Sequence, residues 1–145
     1  MKPILYIIVV LLAMSCKSNP DSNEEKFLNE SIENLGVLSN DYKWIVILPG
    51  VGCHGCIQDG EFFMKNNINR KDILFVLTKI SSFKILQQKI GVKLKEYQNV
   101  YVDREKVFDI PSENSIYPCV VKMEKGKMID YAFQKPQSNA FRLLK

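Results

Sequence analysis

Histidine is nearly missing from this chain, which has a single one in 145 residues, at position 54. Cysteine is scarce too, with four residues at 16, 53, 56 and 119. A structural zinc site needs four ligands, and no second Cys/His pair exists to complete one. The chain is too long and its cysteines too few for a domain built on disulfides. Covalent haem attachment requires a histidine after the second cysteine of a Cys-x-x-Cys, and Ile57 stands there. An excess of one charge is also lacking. The formal net charge is +4 with the basic residues scattered, so a nucleic-acid footprint has no support. No internal repeat or low-complexity run interrupts the sequence. What remains is an ordinary globular composition, 46% apolar and 25% charged, sufficient for one domain with its own core.

The two central cysteines close the most informative stretch. Trp44-Ile45-Val46-Ile47-Leu48 is a short apolar run rich in β-branched residues and reads as a buried strand. Pro49, Gly50 and Gly52 break it. Cys53-His54-Gly55-Cys56 follows, and a helical pattern begins. A strand that turns into Cys-x-x-Cys at a helix start is a redox-active arrangement. The first thiol would sit where unpaired N–H groups and the positive end of the helix dipole favour a thiolate. The second falls about one turn further on, within reach of a disulfide.

The chain opens on a different pattern. Lys2 supplies a positive start, and Ile4 to Ala13 is an apolar run of ten residues, too few to span a bilayer as a mature helix. The stretch ends Leu12-Ala13-Met14-Ser15-Cys16 and resembles the bacterial lipoprotein box, in which a small residue precedes a cysteine that becomes a lipidated N-terminus. Ser15 fits that box; Ala13 stands where leucine is more usual, and Met14 is bulkier than common. The alternative is a plain signal peptide with Cys16 as an incidental thiol. The resemblance implies a signal peptide over 1–15, a lipid-anchored polar tether over 16–23 and a domain over 24–145. Lys17, where an aspartate would retain the protein at the inner membrane, leans toward an outer membrane facing the periplasm.

Along the domain, Ser22 and Glu25 have capping-box spacing. Phe27, Leu28, Ile32 and Leu35 recur at helical intervals, and Gly36 suits a C′ position, so a helix is expected over 24–35. A second helix is expected from Cys53 to Asn67. Ile73 to Leu77 reads as a buried strand. Ser81 or Ser82 can cap a helix that runs to Ile90 and closes at Gly91. Val100-Tyr101-Val102 is a third strand. Pro118 to Met123 and Met128 to Phe133 form a hairpin about Glu124-Lys125-Gly126-Lys127. A helix over about 137–144 would turn Phe141 and Leu144 inward. The class is α/β. Strands separated by helices imply parallel pairing through right-handed crossovers, and the hairpin adds antiparallel strands to one mixed sheet.

With these elements in place, the sequence resembles the thioredoxin superfamily over roughly residues 24–145. Three features carry the likeness: the strand into Cys53-His54-Gly55-Cys56, Ile116-Tyr117-Pro118 where that family has its cis-proline, and the closing hairpin from Val120 to Tyr131. With the leader, the chain looks most like the membrane-anchored thiol-disulfide oxidoreductases of the TlpA/ResA-like group, which serve envelope proteins and cytochrome c maturation. The likeness implies a thioredoxin-like fold and catalysis by Cys53 and Cys56. Tyr117 and a cis Pro118 would contact substrate. Departures are visible. Gly52 and Gly55 replace the tryptophan and proline of the thioredoxin motif, and Ile47 stands where thioredoxin has a buried acid. Asp59 occupies the place of a glutamate in the anchored group.

The reaction expected is thiol-disulfide exchange, with Cys53 attacking and Cys56 resolving. His54, when protonated, would favour the Cys53 thiolate, and Asp59 could receive a proton from Cys56. Each also has a plainer reading, as an exposed loop residue and as a first-turn acid suited to the helix dipole. Cys119 reads as a buried core thiol. No cofactor or metal is expected. The partners would be protein disulfides or dithiols, a redox partner that recycles the pair, and a membrane through Cys16; the chain is expected to be a monomer, with reduction favoured over oxidation. Two alternatives stay open. The same cysteines could hold Cu(I), as in copper chaperones, although a helical pattern follows the second strand where their fold needs a strand. A redox-inactive binding module is the other.

Overall fold

Residues 45–48 and 73–77 are apolar without interruption, and a strand of that kind must be covered on both faces. The computed structural model, which describes residues 20–36 and 41–144, shows how. The leader, Cys16 and the first part of the expected tether lie outside the described residues. Five strands form one sheet: β1 (Trp44–Pro49), β2 (Ile73–Thr78), β3 (Val100–Asp103), β4 (Cys119–Glu124) and β5 (Lys127–Phe133). Their order is β3-β2-β1-β4-β5. The first three are mutually parallel, with Trp44 beside Ile73 and Phe75 beside Val100. β4 runs antiparallel to both β1 and β5, with Ile47 beside Cys119 and Cys119 beside Phe133. The mixed α/β sheet and the closing hairpin are therefore as the sequence predicts.

Among the described residues three helices cover it: α1 (Pro20–Asn34), α2 (His54–Asn67) and α3 (Phe83–Ile90). The period-two alternation of the strands divides the core between two faces. Ile45, Ile47, Leu74, Val76, Cys119 and Val121 pack with Leu28, Ile32 and Leu35 of the α1 segment. Val46, Leu48, Phe75, Leu77 and Val120 pack instead with Met64 of α2, with Ile68 just after it, and with Leu86 and Ile90 of α3. Phe75 is fully buried, and truncating such a ring costs about 3–5 kcal/mol. Helix α3 has the caps its sequence promises. Ser82 Oγ accepts from the Ile85 amide at 3.3 Å, and Gly91 closes the helix at φ 74°.

Two elements differ from the sequence reading. Helix α1 begins at Pro20, inside the stretch read as tether, so Ser22 lies within the helix rather than capping it. Proline suits a first helical turn, where its missing N–H has no intrahelical partner to lose. The C-terminal segment is a 3-10 turn over Ala140–Leu144 rather than a longer helix. Polar ties hold that segment. Gln134 accepts from the Ala140 amide at 2.8 Å and donates to the Ser138 carbonyl at 3.0 Å, while Arg70 donates to the Leu144 carbonyl at 3.0 Å. Leu144 is buried as expected, and the Phe141 ring stacks on Phe63 with centroids 4.5 Å apart.

Candidate redox site

β1 delivers its C-terminal end to the start of α2, the end of a parallel sheet where α/β folds place their chemistry. Cys53 is the N-cap of α2, in extended conformation. Its carbonyl accepts the first helical hydrogen bond, from Ile57 at 2.9 Å, and its sulfur accepts from the Cys56 amide at 3.4 Å. A sulfur in the N-cap role meets the unpaired N–H groups of the first turn. Cys53 and Cys56 are joined as a disulfide, with Cα atoms 5.3 Å apart. Their burial differs: Cys53 is half-buried, and Cys56 is 2% exposed.

The other wall of the site is the segment before β4. The Cys53 amide donates to the Ile116 carbonyl at 3.0 Å. Gly52 has φ 148°, and a Cβ there would stand 2.6 Å from Ile116 Cα. Only glycine allows the loop to lie this close to Ile116. Gly60 serves the same closeness further along α2, since a Cβ would meet Leu48 Cδ2 at 2.6 Å and Pro118 Cγ at 3.2 Å. Val51 and Ile116, 58% and 39% exposed, give the rim of the disulfide an apolar character.

Pro118 corrects one expectation. No cis peptide bond occurs among the described residues, so the Tyr117–Pro118 bond is trans. Tyr117 is extended, at φ −109° and ψ 145°, and the chain continues straight into β4 with the ordinary X–Pro isomer. Pro118 is buried with its ring toward Gly60 of α2, and its carbonyl takes the Gln134 amide at 2.8 Å. The backbone group that meets the cysteine loop belongs to Ile116, to which the sequence reading gave no role of its own. Tyr117 is half-buried, with the Lys135 ammonium 5.5 Å from its ring centroid.

His54 is the first residue of α2 and is exposed beside Cys53. Asp59 is also exposed, and the Gln134 amide nitrogen lies 3.5 Å from its carboxylate. It lines a surface hollow with Phe62, Asn66 and Phe141. Cys119 is a free thiol, fully buried. Burial pushes its pKa far up, and the charge of Glu24 adds to the shift. A surface cleft of about 490 Å³ lies elsewhere. Tyr42, Arg70 and Tyr97 line it, at the opposite end of β1 and β2 from the cysteines. Among the described residues no group of three or more His, Cys, Asp or Glu side chains is arranged to hold a metal ion, and no helix is long and apolar enough to cross a membrane.

The chain is thus an α/β protein with a five-stranded mixed sheet, flanking helices and a close cysteine pair in disulfide linkage at a helix start. That arrangement is compatible with a thioredoxin-like fold. Comparison with protein-family models, with curated proteins and with solved structures finds no match.

Proposed function

We propose that this chain is a thioredoxin-like thiol-disulfide oxidoreductase of the bacterial cell envelope, anchored by a lipid on Cys16, and that it acts on protein disulfides as a reductase. One observation carries the reading: a reversible kind of linkage, the Cys53–Cys56 disulfide, sits at the start of α2 with the Cys56 amide aimed at the Cys53 sulfur. In the reduced pair that amide donates to a Cys53 thiolate, and a charged acceptor strengthens the hydrogen bond. The thiolate attacks one sulfur of a substrate disulfide, and the other sulfur leaves as a thiolate. Cys56, deprotonated, then attacks Cys53 Sγ in the mixed disulfide. The substrate departs as a dithiol, two electrons have passed to it, and Cys53–Cys56 is left oxidised. A dithiol partner reduces the pair again. The apolar rim of Val51 and Ile116 suits contact with a protein surface around the target disulfide. Asp59, one turn beyond Cys56, holds the Gln134 side-chain amide at 3.5 Å, and the Pro118 carbonyl is taken by the Gln134 backbone amide, so Pro118 contributes wall rather than a free acceptor.

The test uses the full mature chain, a protein disulfide as substrate and a small dithiol as electron source. Wild type turns over and Cys53→Ser does not. Absence of turnover combined with tight Cu(I) binding by the reduced pair would replace this reading with a soft-metal one. The anchor is checked separately, since mass spectrometry should find an acyl-modified Cys16 and Cys16→Ala should release the protein from membranes.

A further inference from the structure

Glu24 is a carboxylate buried to 5% exposure on α1, far from the cysteines in sequence. Burying such a group is costly unless its hydrogen bonds are supplied. Two are. It accepts from the Ser112 hydroxyl and from the Asn114 side-chain amide, the latter at 2.7 Å. Ser112 Oγ in turn accepts from the Asn114 backbone amide at 3.1 Å and caps the 3-10 turn Glu113–Ile116. That turn ends at Ile116, whose carbonyl receives the Cys53 amide. A continuous line of hydrogen bonds and one short turn therefore joins Glu24 to the backbone of the attacking cysteine.

The same turn is held from the other side. Lys79, just after β2, donates to Asp109 at 2.7 Å and to the Ser115 carbonyl at 3.2 Å. Its backbone is left-handed, at φ 53°, an unfavourable conformation for lysine that its neighbours must sustain. Two charged side chains from different elements thus converge on residues 112–116, one ahead of Ile116 and one beside it.

Resting on the redox reading above, we propose that Glu24 is a positioning residue for the disulfide. By fixing the 113–116 turn it fixes the Ile116 carbonyl, and with it the backbone of Cys53 opposite Cys56. A cysteine pair held in place has a high effective concentration of one thiol toward the other, which favours the disulfide over the dithiol. Releasing the turn lowers that concentration, so the disulfide becomes easier to reduce. Glu24 touches no reacting atom and acts only through Ser112, Asn114 and Ile116.

The experiment compares full-length wild type, Glu24→Ala and Glu24→Gln by two measurements. Hydrogen exchange of the Cys53 amide reads the bond to Ile116, and equilibration in a glutathione redox buffer reads the reduction potential. Glu24→Ala should speed Cys53 amide exchange about tenfold and lower the thiols' effective concentration about tenfold, a rise of about 30 mV in potential. Glu24→Gln keeps an acceptor oxygen for Ser112 and Asn114 and should stay within about threefold of wild type on both measures. A folded Glu24→Ala with unchanged exchange and unchanged potential overturns the proposal. So does a Glu24→Gln as altered as the alanine variant, because charge rather than positioning would then be responsible. If Glu24→Ala does not fold, Ser112→Ala decides: a shift of about threefold in the same direction supports the line of bonds, and none breaks it. Amide exchange needs no substrate. A wild type without turnover whose Cys53 amide still depends on Glu24 would sink the redox reading and leave the positioning intact.

Discussion

Cys53 and Cys119 carry the same side chain into opposite environments. Cys119 lies within β4, beside Ile47 of β1, and is fully buried. Six residues beyond Ile47 the chain has left β1, and Cys53 stands half-exposed at a helix start, its sulfur facing the Cys56 amide. The sheet interior holds Cys119 as a neutral thiol, since burial and the nearby charge of Glu24 both oppose its ionisation. The helix start presents unpaired N–H groups to the Cys53 sulfur and places its disulfide partner, Cys56, one turn away. In the proposed exchange, reactivity is a property of where β1 ends.

The largest expected consequence is all or none. Cys56→Ser should trap mixed disulfides with protein partners through Cys53, because the resolving thiol is gone, whereas Cys53→Ser should trap none. Cys119→Ala should leave the trapping by a Cys56→Ser background untouched. Equal trapping by the Cys53 and Cys56 variants, seen on non-reducing gels, would erase the distinction between their roles. A second contrast is kinetic. In reduced native protein iodoacetamide should modify Cys53 at least about a thousandfold faster than Cys119, which reacts only when the sheet opens. Peptide mapping of a time course checks this, and comparable rates would mean that the strand gives no protection.

How much of this comparison could be read from the sequence is uneven. The apolar run from Trp44, the glycines behind it and the helical pattern after Cys53 all lie within about 25 residues, and local periodicity is enough to place them. Ser82 and Gly91 likewise announce α3 by chemistry that works at short range. The wall of the site was not readable in this way. The bond from Ser112 to Glu24 spans 88 positions, and no local pattern reports it. A signal did exist: Glu24 shares the helical stripe of Leu28 and Ile32, so an acid stood where an apolar residue would ordinarily pack. Proline before a strand pointed to the right place at Pro118 but to the wrong isomer, since the backbone contact with Cys53 is made by Ile116.

Smaller effects sharpen the contrast. Gly52→Val places a side chain against Ile116 at a backbone angle valine avoids, and should cost about 2–3 kcal/mol of stability in denaturant titrations. A cost below about 0.5 kcal/mol would show that the loop does not need its close approach. The buried thiol has its own signature. Its pKa is raised on folding, so the unfolded chain alone ionises above about pH 8.5, binds fewer protons, and stability falls as pH rises. Between pH 8.5 and 9.5 the stability difference between wild type and Cys119→Ala should shift against wild type by about 1 kcal/mol. Urea unfolding at the two values measures it, and a pH-independent difference would mean that Cys119 titrates alike in both states.

The central claim is that the start of α2 makes Cys53–Cys56 a reversible redox couple while Cys119 stays outside it. Equilibrating the full mature chain across a series of glutathione redox buffers, with thiols trapped and counted by mass spectrometry, tests this most directly. The account predicts one two-electron transition confined to Cys53 and Cys56, with a midpoint above the roughly −270 mV of thioredoxin and a lower midpoint in His54→Ala. Cys119 remains a free thiol throughout. A pair that shows no transition, or a transition that draws in Cys119, would contradict it.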